Sequence, residues 1–421
     1  MQSSEPARFE GDFSSFWNLD TLPPLRRLSW WWWWWLVLIP DPERPGHSKQ
    51  LMVLWSTRDC ERINVSGFDW WGGGRTAVDE EGGIVFPGMV ASWWFDGETV
   101  HEPIVLEEAR MAAIDSDHSL WPGGESGSVG DEESESGSAG ASEGKNGGAP
   151  GGGAVIPISS DDLSMGMAAD SSNFWLKLSA NEKAKKGGSA GEFDLTMKPW
   201  NDEISALEYK HNMLVGKMGY DILRIHGTKC EGTIDGEPVE GTAYFQKVCV
   251  QAPSVPWFWG MLHFENGSYL DWFLPHYSFS MTANDDRPWK LRDFGQLPIQ
   301  GAGLWKDAGR QRTERFERCE VELIKPPDDE AKFDSEGNPL PRFHIRMWNG
   351  RTQVGLVVAA VGRARWTFDQ PTRAHMTSHF TYNEYPLKVE EITVLDEKGV
   401  RTLDDWEWIH GNAEHSWGVL H

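Results

Sequence analysis

Six consecutive tryptophans, followed by four aliphatic residues in SWWWWWWLVLIP (Ser29 to Pro40), constrain this chain more than any other feature. A membrane-spanning helix needs about 20 consecutive apolar residues, but this apolar run ends at Pro40. Tryptophan and β-branched residues favour strands, and a short apolar run bounded by proline is typical of a strand buried on both faces. The run therefore predicts a buried strand over Trp30–Ile39, with Lys49–Arg58 as its partner.

Alternation along that strand sends Trp30, Trp32 and Trp34 to one face and the three intervening tryptophans to the other. We expect one set to pack in a core and the other to meet a ligand or a second domain. Alternation leaves open which set meets the ligand, and Trp32 and Trp34 are candidate substrate-binding residues. Two arginines lie just upstream of the strand, and together with the tryptophans they are compatible with a peripheral contact with a membrane surface.

The charge balance excludes one class of partner. The chain has 39 basic and 64 acidic residues, a formal charge of -25, which repels phosphate backbones and predicts no nucleic-acid binding. This acidity fits a halophilic protein as well as an ordinary acidic one. The N-terminus has no basic segment before an apolar one, which predicts a cytoplasmic protein. The four cysteines are widely separated, so we expect them to be reduced and mostly buried.

The length of 421 residues favours two domains, and we place the boundary so that they span 1–285 and 286–421. Gly123–Gly153 holds twelve glycines, six serines and six acids against one lysine, a composition that predicts a disordered insert. The insert is either a linker or, as the strands on both sides favour, a loop within a domain. Short strands punctuated by Asp-Gly and Asn-Gly turns elsewhere predict an all-β protein of barrels or sandwiches.

One hairpin carries most of the candidate chemistry. In PWFWGMLHFENGSYLDWF (Pro256 to Phe273), a two-residue turn at Asn266-Gly267 predicts that Phe264 faces Tyr269. Two faces follow from this register. The first carries Trp257, Trp259, Met261, His263, Leu270 and Trp272, and the second carries Phe258, Leu262, Phe264, Tyr269, Asp271 and Phe273.

The order of motifs resembles a known superfamily. The tyrosine strand GTIDGEPVEGTAYF (Gly232 to Phe245), a proline segment and the hairpin above follow one another as in the carotenoid hydratase (hydroxyneurosporene synthase) and AttH-like superfamily. Its members pair two lipocalin-like β-domains and include relatives of kievitone hydratase, fungal Diels-Alderases and tocopherol cyclases. The Trp-rich strand, FTYNEYPLKVEEI (Phe380 to Ile392) and HGNAEHSWG (His410 to Gly418) also agree. Many members carry an acid after the tyrosine strand, where this chain has FQKVCV (Phe245 to Val250).

The resemblance implies a cofactor-independent hydratase, cyclase or isomerase that acts on a polyene or terpenoid-like substrate in a Trp-rich pocket. The alternative is a non-catalytic lipid-binding or transfer protein on the same scaffold, which the missing acid favours. The expected partner is thus a hydrophobic small molecule, either a polyene, a terpenoid or a lipid. We expect no cofactor, because no dinucleotide or phosphate-binding motif occurs, and no metal, because the histidines of HMTSH (His375 to His379) lack an adjacent glutamate.

Protonation of an alkene requires a buried acid and a cation-tolerant wall. Asp271 is the candidate proton donor, although a carboxylate paired with an arginine is an alternative for it. His263 is the candidate base or water-holding group. The aromatic residues Trp257, Trp259, Trp272 and Tyr244 are candidates for the wall. Glu414 and His415 are neighbours on a predicted strand, so at most one of them faces a pocket.

Overall fold

The computed structural model describes residues 7–11, 26–70, 77–78, 84–114, 153–157, 162–168, 170–213, 218–252, 257–277, 297–298, 301–324, 326 and 330–420. Within these ranges the chain is nearly all strand and forms two curled sheets, which confirms the predicted all-β, lipocalin-like class. The described ranges contain two short α-helices, α1 (Glu182–Lys186) and α2 (Asp202–Ser205). No helix in the described part is long and apolar enough to cross a membrane.

The described residues form 26 strands. The first fourteen are β1 (Ser29–Pro40), β2 (Ser48–Arg58), β3 (Ile63–Val65), β4 (Phe68–Trp70), β5 (Ala77–Val78), β6 (Ile84–Phe95), β7 (Val100–Ile114), β8 (Gly153–Pro157), β9 (Leu163–Met167), β10 (Phe174–Ser179), β11 (Glu192–Pro199), β12 (Glu208–Met213), β13 (Gly219–Ile234) and β14 (Glu237–Gln251). The next twelve are β15 (Trp257–Phe264), β16 (Tyr269–Tyr277), β17 (Leu297–Pro298), β18 (Ala302–Asp307), β19 (Arg312–Phe316), β20 (Arg318–Ile324), β21 (Arg342–Trp348), β22 (Gln353–Ala360), β23 (Ala364–Pro371), β24 (Thr377–Asp396), β25 (Gly399–Thr402) and β26 (Ile409–Leu420).

The first sheet has the order β8-β7-β6-β2-β1-β14-β13-β11-β10-β9, with β12 beside β13 and β5 beside β6. Its end strands β8 and β9 lie close together, so the sheet curls back on itself. The second sheet has the order β19-β18-β16-β15-β26-β24-β22-β21-β20, and β23 and β25 both pair with β24. The small hairpin of β3 and β4 comes from the first half of the chain but belongs to the second sheet, where β3 pairs with β23.

The two sheets take up different parts of the chain, apart from the hairpin of β3 and β4. The predicted boundary at 285/286 lies outside the described residues and stays a prediction. Hydrogen bonding changes from the first sheet to the second between β14 and β15, so the hairpin of β15 and β16 belongs with the C-terminal strands. The predicted insert 123–153 also lies outside the described residues except for Gly153, which pairs with Ile114. The strands on either side of the insert, β7 and β8, pair within one sheet.

Three hydrophobic layers result from the two curled sheets. Trp31, Trp33 and Trp35 point into the core of the first sheet. Trp32 and Trp34 point the other way, into a layer built from both sheets, whereas the second sheet encloses a core of its own. The alternation predicted for the tryptophan run is therefore confirmed. The four cysteines are free and buried, as expected.

The register predicted for the β15–β16 hairpin is wrong by one residue. Tyr269 pairs with His263 and not with Phe264. The Phe264 N–H donates to the Ser268 carbonyl oxygen at 3.1 Å, and the Gly267 N–H donates to the Phe264 carbonyl at 3.0 Å. These bonds, with Gly267 at φ +80°, make a three-residue loop with a bulge in place of the two-residue turn.

The one-residue shift moves every side chain of β16 to the opposite face. Asp271 now shares a face with Trp259 and His263, in the layer between the sheets. Trp272 moves into the core of the second sheet, where its ring covers Gly260 so closely that a Cβ there would lie 2.1 Å from it.

Candidate acid site between the two sheets

Aromatic side chains from both sheets meet in the layer between them. The Trp34 ring lies 5.5 Å from Tyr244 of its own sheet and 5.5 Å from Trp259 of the second sheet, and Tyr244 lies 5.3 Å from Trp259. Trp257 lies in the same layer, 5.4 Å from Phe380. The predicted wall residues Trp32, Trp34, Tyr244, Trp257 and Trp259 are thus brought together, while Trp272 is not.

Two glutamates lie directly opposite each other in this layer. Glu384 on β24 pairs with Glu414 on β26, and their side chains are 0% and 3% exposed. Like charges at paired positions destabilise a sheet, and burial of a charge without a counter-charge is costly. No arginine or lysine in the described ranges forms an ion pair with either carboxyl. At least one of the two carboxyls must therefore be protonated for the buried pair to be stable.

Indole and phenol groups hold both carboxyls in place. Glu384 Oε1 accepts from Trp34 Nε1 at 3.0 Å, and Glu384 Oε2 accepts a bond from Trp93 Nε1. Glu414 Oε2 accepts from Trp257 Nε1 at 2.7 Å. The Tyr382 hydroxyl lies between the two acids, 2.6 Å from Glu414 Oε1 and within hydrogen-bonding distance of Glu384 Oε1.

The Tyr382 hydroxyl has one proton and two carboxyl neighbours, so it can donate to only one of them. The other carboxyl must carry a proton and donate to the tyrosine oxygen. Burial and repulsion from Glu414 raise the pKa of Glu384 to about 8, and burial raises the pKa of Glu414 to about 7. These values alone would leave the last proton on Glu384.

The hydrogen-bond donors favour the reverse assignment. Glu384 receives two indole N–H groups and Glu414 receives one, while the Tyr382 O–H can donate to either acid. Donors stabilise the anion, so we place the anion on Glu384 and the proton on Glu414. Since the two acids share Tyr382, their titration belongs to the pair, which still holds one proton near neutral pH.

Asp271, the predicted proton donor, lies in the same layer but in a different environment. Its Oδ2 accepts from Arg224 Nη1 at 2.9 Å and from the Tyr269 hydroxyl at 2.9 Å. Burial raises the pKa of Asp271, while Arg224 and Tyr269 oppose that shift. The alternative considered from the sequence, a carboxylate paired with an arginine, therefore describes Asp271 as the structure places it.

His263, the predicted base, has both ring nitrogens bonded within the protein. Nδ1 lies 2.8 Å from the Thr242 hydroxyl, and Nε2 lies 2.7 Å from the His226 carbonyl oxygen. Because a carbonyl only accepts, Nε2 carries the proton and Nδ1 accepts from Thr242. Burial lowers the pKa of His263 to about 4. Neither nitrogen is left for a substrate, so the geometry favours a structural role for His263.

The adjacent residues Glu414 and His415 point to opposite faces, as strand alternation requires. Glu414 joins the acid pair, whereas the His415 ring stacks on Phe258 at 4.3 Å and 7°. Phe258 belongs to the core of the second sheet. Of the two residues, only Glu414 lies in the layer that holds the tryptophans.

Sequence reasoning missed Glu384, Tyr382 and Trp93. The segment FTYNEYP contained the signal, since Phe380, Tyr382 and Glu384 alternate on one face of a strand with no other charge nearby. The acid that is absent after Tyr244 has no substitute on that strand, where Gln246 accepts a bond from the Tyr244 hydroxyl at 3.2 Å. Both acids of the pair come from the second sheet.

A shallow groove of about 440 Å³ lies elsewhere, along β20, β21, β22 and β24, and its lining includes Trp348, Gly355 and Leu395. None of the residues that line it belongs to the layer between the sheets. The described part of the chain also holds no group of three or more His, Cys, Asp or Glu side chains arranged to bind a metal.

Fold and site together define a class, an all-β protein of two curled sheets that enclose a buried carboxyl pair among tryptophans. No protein-family model matches the chain, and no curated protein matches it. It is similar to the crystal structure of an AttH-like protein from Nitrosomonas europaea, with 12% identity, a TM-score of 0.49 and 97% of each chain covered. It is also similar to kievitone hydratase from Nectria haematococca, with 11% identity, a TM-score of 0.37, and 98% of this chain and 97% of that chain covered.

Likeness at this level of identity concerns the fold and says nothing about a shared catalytic site.

Proposed function

We propose that this chain is a cofactor-independent acid catalyst that protonates an alkene of a polyene or terpenoid-like substrate, leading to hydration, cyclisation or isomerisation. The observation that carries the proposal is the buried pair of Glu384 and Glu414, bridged by Tyr382 and surrounded by tryptophans. A protonated carboxyl at neutral pH is the reagent that this chemistry needs.

In the proposed reaction, Glu414 gives its proton to one alkene carbon, and the π-electron pair forms the new C–H bond. The adjacent carbon becomes a cation, which the ring faces of Trp257 and Trp259 stabilise. In hydration, a water oxygen bonds to the cation, and the extra proton of that water returns to the Glu414 carboxylate. In isomerisation, a C–H bond beside the cation supplies the electrons for a new double bond, and its proton returns to the Glu414 carboxylate. In cyclisation, the π-electron pair of a second double bond of the substrate first forms the ring C–C bond with the cation, and a C–H bond beside the cation that results then supplies the new double bond and the returning proton.

Tyr382 and Glu384 act through Glu414. While Tyr382 donates to Glu384, its oxygen accepts from the Glu414 carboxyl and holds that proton in one direction. When Glu414 has given up its proton, Tyr382 can turn its O–H toward the new carboxylate and stabilise it. The geometry thus supports one acid that donates, one fixed anion and one hydroxyl that responds to the transfer.

The test is solvent deuterium incorporation. The protein is incubated in D2O with an acyclic carotenoid or with geranylgeraniol, and mass spectrometry follows C–D bonds, which every protonation pathway forms. General acid catalysis contributes about 10²–10⁴-fold to a rate, so Glu414→Gln should lower incorporation by at least about 10²-fold. The introduced amide keeps the hydrogen-bond pattern, because its oxygen accepts from Trp257 and its N–H donates to Tyr382.

Asp271→Asn is the matched control, because it changes a second buried acid of the same layer. The proposal predicts that this variant, if folded, retains incorporation, whereas loss in Asp271→Asn with retention in Glu414→Gln would return the donor role to Asp271. Incorporation that is equal in the wild type and in both variants would contradict acid catalysis.

A binding protein without catalysis is the second candidate, favoured by the full bonding of Asp271 and His263 within the protein. It predicts that a polyene binds and copurifies with the protein unchanged, with no deuterium incorporated by the wild type.

A further inference from the structure

Arg58 is a buried cation without a carboxylate partner in the described chain, at one end of the layer between the sheets. Its residue is 7% exposed, and its Nε is buried and makes no hydrogen bond within the described chain. Its guanidinium lies 3.7 Å from the centre of the Trp30 ring. The other buried arginine compared with it, Arg363, is neutralised by Asp334 at 2.6 Å, and the half-buried Arg224 is neutralised by Asp271 at 2.9 Å.

Burial of the Arg58 charge without an anion among the described residues costs free energy in the folded state. Burial lowers the pKa of Arg58 to about 9, and the neighbouring group that opposes this shift is the Cys60 thiol, not a carboxylate. The guanidinium still remains charged at neutral pH. A cation held in aromatic surroundings, with an N–H left unbonded, is complementary to an anionic ligand that would supply the missing acceptor.

Arg58 and the acid pair lie along the same layer. Arg58 on β2 pairs with Trp30 on β1, and Trp34, which binds Glu384, follows four residues along the same strand. Four strand residues span about 13 Å. Aromatic rings connect the two places, since Trp30 lies 6.0 Å from Phe380 and Phe380 lies 5.4 Å from Trp257, which binds Glu414.

We propose that Arg58 binds the anionic head group, a carboxylate or a phosphate, of an amphipathic polyene whose unsaturated chain extends along the Trp30–Phe380–Trp257 path to the acid pair. This inference names the substrate class of the proposed function and rests on it for the location of the reacting bond. The charge on the ligand would select its orientation, because only one end of the layer offers an unpaired cation in the described chain.

Binding measurements test the head-group assignment without any turnover. The probes are cis-parinaric acid, a fluorescent polyene carboxylate, and its uncharged methyl ester, each titrated into the full-length protein. A charge-assisted hydrogen bond from Arg58 should make the acid bind about tenfold more tightly than the ester. Arg58→Gln should remove this preference and leave binding of the ester within about twofold of the wild type.

Two further variants serve as controls. Arg58→Lys keeps the charge without the planar fork, so it should retain part of the preference. Arg62→Gln removes a nearby exposed arginine that pairs with Asp69, and it should leave the preference unchanged. If Arg58→Gln does not fold, Arg58→Lys alone tests the proposal. A preference for the acid over the ester that is as large in this variant as in the wild type contradicts a role for the guanidinium fork.

Competition against the bound probe distinguishes the two anions. Farnesoic acid and farnesyl phosphate are compared with farnesol, and displacement by either anion at lower concentration than farnesol supports the proposal and identifies the head group. Equal displacement by all three, or equal binding of cis-parinaric acid and its ester by the wild type, would overturn it. Since neither outcome depends on deuterium incorporation, the proposed catalysis can fail while the head-group assignment holds.

Discussion

Two acid clusters lie between the sheets, one around Asp271 and one around Glu384 and Glu414, and they balance their charge in opposite ways. Asp271 has a cation at 2.9 Å and a tyrosine hydroxyl at 2.9 Å, so its ionised form is compensated. Glu384 and Glu414 have only neutral donors around them in the described chain, from three tryptophans and one tyrosine. Equal burial therefore leads to a fixed carboxylate in the first cluster and to a retained proton in the second.

This difference separates a structural acid from a chemical one. A carboxylate that is already paired lowers its free energy by staying ionised, and protonation of an alkene by it would first require it to gain a proton against Arg224. A carboxyl that is neutral because no cation lies beside it has its proton ready to transfer. The identity of the neighbours, more than the depth of burial, decides which acid can donate.

Removal of Arg224 should have the largest effect on stability. Arg224→Met leaves the Asp271 carboxylate buried without its cation, and breaking a buried pair on one side costs about 3–5 kcal/mol. The free energy of unfolding from urea titration at neutral pH measures this cost. The double variant Arg224→Met/Asp271→Leu should recover most of it, because no charge remains. A loss below about 1 kcal/mol in the single variant would contradict the assignment of Asp271 as an anion.

Substitution of the paired glutamates should reveal which of them carries the proton. In Glu384→Gln, the amide N–H₂ group faces an indole N–H, so a donor opposes a donor at a cost of about 2–3 kcal/mol. In Glu414→Gln, the amide takes the place of the protonated carboxyl and should cost less than about 1 kcal/mol near pH 6. Urea titration of both variants makes the comparison. The reverse order would place the proton on Glu384.

The pH dependence of stability should carry the signature of the acid pair. An unfolded glutamate releases its proton above about pH 4.5, whereas the folded pair keeps one until about pH 7 to 8. The unfolded chain then binds fewer protons than the folded one, so the free energy of unfolding falls as the pH rises through this window. The contribution is fully present below about pH 4.5 and lost above about pH 8.

Glu414→Gln should remove much of that decrease, on the order of 1–3 kcal/mol between pH 5 and pH 8, since the amide does not titrate. Glu322 on β20, which lies outside the layer between the sheets, is changed to Gln as the matched control. If the wild type shows the same pH slope as Glu414→Gln across this window, the pair does not hold a proton in the folded state.

Periodicity was sufficient to predict the layers but not the partners of each acid. Alternation correctly separated Trp32 and Trp34 from Trp31, Trp33 and Trp35, because a strand has only two faces, but it left open which set faces the second sheet. The same rule misplaced Asp271 and Trp272, because the loop after Phe264 has three residues and a one-residue shift reverses both faces. The short sequence ENGS does not reveal which turn will form.

Contacts between distant strands were also beyond the reach of sequence patterns. Glu384 meets Trp34 across 350 residues, and Asp271 meets Arg224 across 47. A single sequence contains no rule that pairs such positions. From sequence alone, a carboxyl that can donate a proton therefore cannot be distinguished from a carboxylate that is paired with an arginine.

The smallest expected effect concerns His263, near the Asp271 cluster. Thr242→Val removes the hydroxyl that donates to His263 Nδ1 and keeps the shape of the side chain, which should cost about 1 kcal/mol by urea titration. If His263 only holds the His226 carbonyl in place, the pH profile of deuterium incorporation should be the same in this variant and in the wild type. A shifted profile would show that His263 exchanges protons during the reaction and would bring the two clusters into one mechanism.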